Sequence, residues 1–598
     1  MRLIRLLLIP LVPMALGAQS ATLFRNVRVF DGERAEPNRD VLVQNGKIAR
    51  IGAELTPPSG ATIVDGAGKT ILPGLIDAHT HAWGNALTTA LVFGVTTELD
   101  MFGDVDTARA RRAEQRDRHA TSRADLLSAG TLVTVKGGHG TEYGSPIPTL
   151  TSPDSARGFV DARIAEGSDY IKLVYDDGAT YGTQWPTLTP AMMRATIAAA
   201  HARGKLTAVH IGSLAGAREA IADGADGLAH LFVDRDPDAD FGTFVAAHHA
   251  FVVPTLTVLK SITGIGGAAP LADDPRFSGF LTRQELQMLK AAFPRRPGPP
   301  ALSYASAEAT VKQLHAAHVP ILAGTDAGNP GTAHGAALHR ELELLVNAGL
   351  TPSEALAAAT SVPAKTFHLG DRGRIAQGMR ADLLLVSGDP TTDILATRDI
   401  AGVWKEGVPL DRSAIRESIA AEVAVAARGP VGSESGLVSD FDDGSPGTRF
   451  GAGWSVSTDA MAGGKSSAEM VVVDGGAEGS AKSLAIRGTI SDAFKQAWAG
   501  AMFSPARQAF QPANLGSKKE LRFWAKGDGK TYRVLIFAES KGYVPLTQTF
   551  VAGAEWKEVV IPLSAFGGID GHDIMALIFA GGPAPGGFAF QIDHVGFR

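Results

Sequence analysis

Residues 79–81 read His-Thr-His and close an apolar stretch, ILPGLIDA, over 71–78. On an extended strand successive side chains alternate faces, so His79 and His81 point one way and Thr80 the other. Two imidazoles side by side are a ready pair of metal ligands. Alone the pair is a weak signal, because two polar residues leaving a strand look the same. More residues of the right chemistry follow in later apolar runs: Lys172 in DYIKLVYD, His210 in LTAVHIG, His230 in DGLAHLF and Asp326 in VPILAGTD. Neutral imidazoles hold borderline cations such as Zn²⁺, and a carboxylate adds charge and can take up a proton. Four His and one Asp are donors enough for two ions, and two close cations need a bridging anion. A lysine ammonium cannot ligate. Desolvated and deprotonated, Lys172 can add CO₂ and become a carbamate, a two-oxygen anion shaped to bridge. Water between two such cations is acidified toward a pKa of about 7 and becomes a nucleophile at neutral pH.

Each residue also has a plainer reading. Taken singly, His210 and His230 are satisfied core histidines, and Lys172 is the cation of an ion pair with Asp176 or Asp177. Their arrival together at successive strand ends, with His79, His81 and Asp326, favours metal. His201, His248, His249, His315 and His318 lie in helix patterns and read as surface or packing residues.

The elements that must bring these groups together alternate along the chain. Strand candidates are 71–78, 94–100, 125–132, 169–176, 206–212, 226–232, 250–258 and 319–326, with Ala-rich helix patterns such as 189–204 and 303–318 between them. Eight β/α units over 71–369 predict an α/β fold, a (β/α)₈ TIM barrel whose strand ends share one mouth. A doubly wound sheet is the rival architecture, but no Gly-rich phosphate fingerprint follows any strand. Hairpin-like segments at 22–70 and 370–430 flank the barrel and predict a composite β-sandwich built from both sides of it. Two long connections, 135–150 and 260–302, leave the C-terminal ends of strands three and seven. The second reads equally as a surface excursion or a flap over substrate.

At 598 residues the chain should hold several domains. A net charge of −6 without a basic stripe excludes nucleic acid as a partner. Arg2 and Arg5 precede an apolar run over 6–18 that is too short to span a membrane, so residues 1–18 are expected to be a secretory signal cleaved near Ala18. An N-terminal membrane anchor is the alternative. The absence of Cys excludes disulfides, Cys nucleophiles and a lipoprotein anchor. A periplasmic or secreted protein follows, with no membrane partner after cleavage, and a homo-oligomer is an open state. Beyond the linker PVGSESG, residues 437–598 turn to short strands, Gly-rich turns and scattered Trp, the pattern of an antiparallel all-β domain.

As a set, PGLIDAHTH, DYIKLVYDDG, AVH, LAH and GTDAG resemble the amidohydrolase superfamily, nearest its imidazolonepropionase and metal-dependent prolidase-like branch. The resemblance covers about 22–410. It implies that His79, His81 and Asp326 hold one ion, that His210 and His230 hold the second, and that carboxylated Lys172 bridges two divalent cations, zinc by preference. It also implies that Asp326 moves the proton from the water to the leaving group. His139, in GGHG, resembles a loop histidine that polarises the substrate carbonyl, with Tyr143 as a helper, and 177–185 is a candidate specificity loop. DFDDG, WSVSTDAMAGGKSSAEM and FQIDHVGF resemble the jelly-roll (galactose-binding-like) domain of complex I intermediate-associated proteins, similar to some carbohydrate-binding modules. That likeness implies a structural Ca²⁺, with Asp440, Asp442 and Asp593 as oxygen donors; a docking domain without ligand is the plainer reading.

The expected activity is a secreted metal-dependent hydrolase cleaving amide bonds of small molecules, dipeptides or N-acyl amino acids. A lactonase or organophosphate-type esterase is the alternative within the class. A glycan-binding protein with an inactive barrel is the alternative outside it, and the intact ligand set argues against that.

Overall fold

The computed structural model describes residues 21–116, 120–142, 146–293, 301–426, 429–462, 464–492, 496–541 and 545–598. The expected leader, Tyr143 and part of the 260–302 connection (294–300) lie outside these residues. The chain forms two compact units, 1–417 and 418–598.

In the first unit a run of β structure changes sheets at Pro73–Gly74. Lys69–Pro73 pairs with Leu383–Ser387 and Thr22–Phe30, whereas Leu75–Thr80 opens the barrel. Gly74 stands where a Cβ would lie 2.3 Å from the Thr96 hydroxyl, so only glycine lets the chain cross there. The flanking segments at 22–73 and 383–409 are hydrogen-bonded as one continuous eight-stranded sheet around its own core of Phe24, Val41, Leu383 and Trp404.

Leu75–Thr80, Val95–Asp100 and Asp125–Ser128 form one parallel sheet, and Ile171–Tyr175, Thr207–Ile211, Gly227–Ala229 and Phe251–Val253 form another. Bridges close the ring: Val133 to Leu173 on one side, Val252 to Ile321 and Thr80 to Ala327 on the other. The eighth member, 319–327, is therefore extended but not a regular strand. The first two strands are buried at every position, as expected for parallel strands covered on both faces. Pro190–His201 and Tyr304–Ala316 form the helices expected from their Ala-rich patterns, each begun by a side-chain cap from Thr189 or Ser303.

The expected strand at 250–258 is shorter. It ends at Val253, and Leu256–Ile262 is helical. The β-branched run misleads there because the chain kinks at Thr255, which takes a left-handed backbone (φ 50°, ψ 46°).

A second buried polar cluster sits where the third barrel strand begins. Asp125 lies 3.1 Å from Lys405, 2.7 Å from Arg372 and 2.5 Å from Arg380, and Lys405 also lies 3.3 Å from Asp382. Lys405 is fully buried. These pairs join the barrel to the eight-stranded sheet.

The second unit holds two antiparallel sheets. One has six strands, including Ser467–Asp474, Lys482–Ile490 and Gly586–Phe597; the other has five, including Ala499–Ser504 and Ile574–Gly581. Phe523, Phe550, Phe579 and Phe590 meet edge to face in their shared core.

Candidate metal centre

The alternation expected at 79–81 holds. His79 Nε2 and His81 Nε2 lie 3.3 and 3.1 Å from the same oxygen, Asp326 Oδ1. His230 Nε2 comes within 4.0 Å of Asp326 Oδ2. Ligand atoms of His79, His230 and Asp326 all fall within 4.8 Å of one another. His210 packs edge-on to His230 with ring centroids 4.7 Å apart. Lys172 is buried, and Asp326 and Asp100 are the charges that favour its protonated form. The ion pair with Asp176 or Asp177 offered as the plainer reading of Lys172 is not formed: Asp176 binds His210 instead, Nε2 to Oδ2 at 3.2 Å.

Close approach here depends on glycine. A Cβ on Gly324 would meet the His79 backbone N at 2.8 Å, and one on Gly212 would lie 2.5 Å from Asp176 Oδ1. Asp77 ties the first and eighth strands together, accepting from His79 N at 3.2 Å, Thr325 N at 3.0 Å and Thr325 Oγ1 at 2.7 Å.

Each imidazole is oriented by a partner on its other side. His81 Nδ1 meets the Phe102 carbonyl at 3.1 Å, which places a proton on Nδ1 and leaves Nε2 facing Asp326. His230 Nδ1 meets Thr255 Oγ1 at 2.9 Å. His210 is held through Nε2, so Nδ1 is its remaining donor atom. His79 differs: both its ring nitrogens, like Asp326 Oδ1, are buried without a hydrogen-bond partner among the described residues.

Burial dominates the electrostatics. It pulls His79 down to about 3 and His210 to about 4, and holds His230 well below its usual value, so these imidazoles stay neutral. His81 moves the other way, since its contacts with Asp326 and the nearby Asp100 outweigh burial. For Asp326 burial pushes upward, but His79, His230 and His81 outweigh it and keep the carboxylate ionised. Burial brings Lys172 down to about 7 against the pull of Asp326 and Asp100. Neutral imidazoles, an ionised carboxylate and an amine that is partly neutral at pH 7 are the forms in which these side chains bind cations or CO₂.

His139 reaches the same mouth. Its ring stacks on Trp185 (centroids 4.9 Å apart, planes 16° from parallel) and lies 5.0 Å from His210. Glu142 Oε1 meets His139 Nδ1 at 2.5 Å. The 177–185 loop is thus at the site through Trp185. Glu142, Trp185, Asp176 and Thr255 were not singled out from sequence as partners of these histidines, and only Glu142, three residues past His139, carried a local signal.

The three aspartates expected to hold calcium also make contacts within the protein. Asp442 Oδ1 accepts from Ser480 Oγ and from the amides of Ala481 and Lys482, Asp440 pairs with Arg449, and Asp593 accepts from the amides of Ala477 and His594. Among the described residues the His79–His230–Asp326 group is the only convergent donor set.

Buried imidazoles, one carboxylate and a desolvated lysine at the mouth of a barrel define a hydrolytic class of enzyme. The chain belongs to the amidohydrolase family, whose model matches residues 70–411. It is 29% identical to an imidazolonepropionase of Cereibacter sphaeroides over 385 residues, covering 60% of this chain and 92% of that one. An imidazolonepropionase of Paracoccus denitrificans is 27% identical over 382 residues, with 57% and 86% covered. Among solved structures, a Xaa-Pro dipeptidase with bound methionine shares the fold at a TM-score of 0.53 and 22% identity, over 65% of this chain and 99% of that one. Residues 440–569 match the model of the Complex I intermediate-associated protein 30 family. The family to which the chain belongs acts on C–N bonds and is generally metal-dependent, and the chain is similar to its imidazolonepropionases.

Proposed function

We propose that the chain hydrolyses amide bonds of small molecules, dipeptides or N-acyl amino acids, with two divalent cations, zinc by donor type. The observation that carries this reading is the convergence of buried His79, His81 and His230 on the one carboxylate of Asp326, with no hydrogen-bond partner beyond this group for either ring nitrogen of His79 among the described residues. An uncompensated buried polar group is costly, so a native site that keeps several has a ligand for them. His79, His81 and Asp326 would hold one cation and His210 and His230 the other, with a carboxylated Lys172 between. When bound, the pair supplies a water acid enough to attack a carbonyl at neutral pH.

The chain's own residues do the rest. Asp326, ionised and central, accepts the proton of the attacking water and returns it to the leaving nitrogen, which cannot depart as an amide anion. His139, held against Glu142 and stacked on Trp185 at the mouth, is the side chain that would polarise the substrate carbonyl. The Asp176 carboxylate keeps His210 in the tautomer that presents Nδ1. The basic and apolar N-terminal segment supports export to the periplasm or medium, which fractionation of expressing cells checks.

Elemental analysis of purified protein should find about two divalent ions per chain, matching the donor count. A value of one or fewer, with an unmodified Lys172 by mass spectrometry, overturns the paired-ion reading. A panel of dipeptides, N-acyl amino acids, cyclic amides and lactones identifies the bond cleaved; turnover of lactones alone would replace the amidase with an esterase.

A further inference from the structure

Three residues at the ends of successive barrel strands have backbones of the kind glycine adopts freely: His230 at φ 96°, Thr255 at φ 50° and Asp326 at φ 57°. Two of them belong to the proposed metal centre. Thr255 does not, and as a β-branched residue it is the least suited of the three to a left-handed backbone. Strain of this kind persists where the surroundings impose it, and it collects at functional sites.

The surroundings are identifiable. Thr255 occupies the N-cap of the helix Leu256–Ile262, a position where a threonine hydroxyl ordinarily accepts from the first free amides. Here it caps nothing. The amides are taken instead by Glu341, from the helix Ala336–Asn347, whose carboxylate accepts from Leu256 N at 2.9 Å, Thr257 N at 2.8 Å and Thr257 Oγ1 at 2.7 Å. Both Glu341 and Thr255 are fully buried. Relieved of capping, the Thr255 hydroxyl meets His230 Nδ1 at 2.9 Å.

We propose that Thr255 is a positioning residue for His230, and that Glu341 caps the following helix in its place so that the Thr255 hydroxyl is free to hold the imidazole. The hydroxyl oxygen accepts the Nδ1 proton, which fixes the tautomer and aims the Nε2 lone pair toward Asp326. This rests on His230 being a metal ligand. Partners of this kind are worth about 10–100-fold in metal affinity.

The test is metal affinity, read by competition with a chromophoric chelator on the full-length metal-loaded protein, beside its melting temperature. Thr255→Val keeps the branched shape and removes the hydroxyl; about a 10–100-fold weaker hold on the second ion is expected. Thr255→Ala makes the same cut with less bulk if the valine does not fold. Thr255→Ser should bind within a few-fold of wild type. In Glu341→Ala the bare amides recruit the Thr255 hydroxyl back to the cap, so affinity should fall although residue 341 makes no hydrogen bond to His230. Wild-type affinity in Thr255→Val and Thr255→Ala overturns the inference alone. A lower melting temperature in Glu341→Ala with unchanged affinity confines Glu341 to stability and overturns its part. A wild-type chain that takes up no metal overturns the metal reading itself, and this inference with it.

Discussion

The barrel carries two buried polar clusters, and they follow opposite rules. Where the third strand begins, Asp125 and Asp382 face Arg372, Arg380 and Lys405, and each of these charges has an opposite charge within reach. At the mouth, one carboxylate, Asp326, faces imidazoles of which His79 and His230 are held neutral by burial, and both ring nitrogens of His79 are buried without a hydrogen bond among the described residues. Both clusters are desolvated and both shift pKa values strongly, so burial and perturbed titration alone do not mark a functional site. Partnering does. A cluster whose charges cancel internally is finished as a piece of architecture, and one that leaves donors open is finished only by a ligand.

Charge-removing substitutions should therefore act differently in the two places. At the mouth, Asp326→Asn keeps the shape of the side chain but cannot accept a proton. Loss of general acid–base help costs about 10²–10⁴ in kcat. The melting temperature should fall less than at the base, because the partners of Asp326 are imidazoles, not permanent cations. A fully metal-loaded Asp326→Asn enzyme running at near wild-type rate would transfer the proton role, with His139 the first place to look.

At the base, Lys405→Met should do the reverse. It strips the fully buried cation from two carboxylates and leaves Arg372 and Arg380 alone to face them; breaking a buried pair typically destabilises by about 3–5 kcal/mol. Metal content and kcat per folded molecule should be unchanged. Urea unfolding beside elemental analysis decides it, and loss of metal from the folded Lys405→Met protein would erase the distinction between the clusters.

The two clusters were not equally legible in the sequence. His79, His81, His210, His230 and Asp326 announce themselves because each follows a recognisable apolar run, and a barrel gathers strand ends by construction. The base cluster was not read at all. Asp125 and Arg372 are 247 residues apart, and neither sits in a pattern that marks it. The same limit hid Glu341, 85 residues from the amide of Leu256 that it caps, and with it the reason Leu256–Ile262 is a helix in a β-branched segment. Asp176 was in view only as a partner for Lys172 in the plainer reading, while the parallel pairing of strands four and five brings His210 to it. Periodicity reports which face a residue takes. It does not report which distant residue waits there.

The smallest effect is a pH dependence that belongs to the base alone. Burial pushes the Asp125 carboxyl up, but Lys405, Arg380 and Arg372 together outweigh that and hold it at about 2. An unfolded aspartate titrates near 3.9. The folded value is the lower one, so the native state binds the proton less tightly than the unfolded state. The ionised carboxylate therefore contributes stability that is complete above about pH 4–5 and drains away as pH falls toward 2. A shift of this size is worth roughly 2–3 kcal/mol. Asp125→Asn removes the titration while keeping an acceptor for its neighbours, so its deficit relative to wild type should be largest near pH 5 and should shrink steadily down to pH 2. The comparison is made on metal-free protein, so that release of cations does not enter, and protonation of the mouth histidines is common to both proteins and cancels in the gap. Urea midpoints for the two proteins across that range give the gap directly. If the gap were the same at pH 2.5 as at pH 5, Asp125 would not be ionised against its three cations, and the base cluster would not be the internally cancelled structure that sets it apart from the mouth.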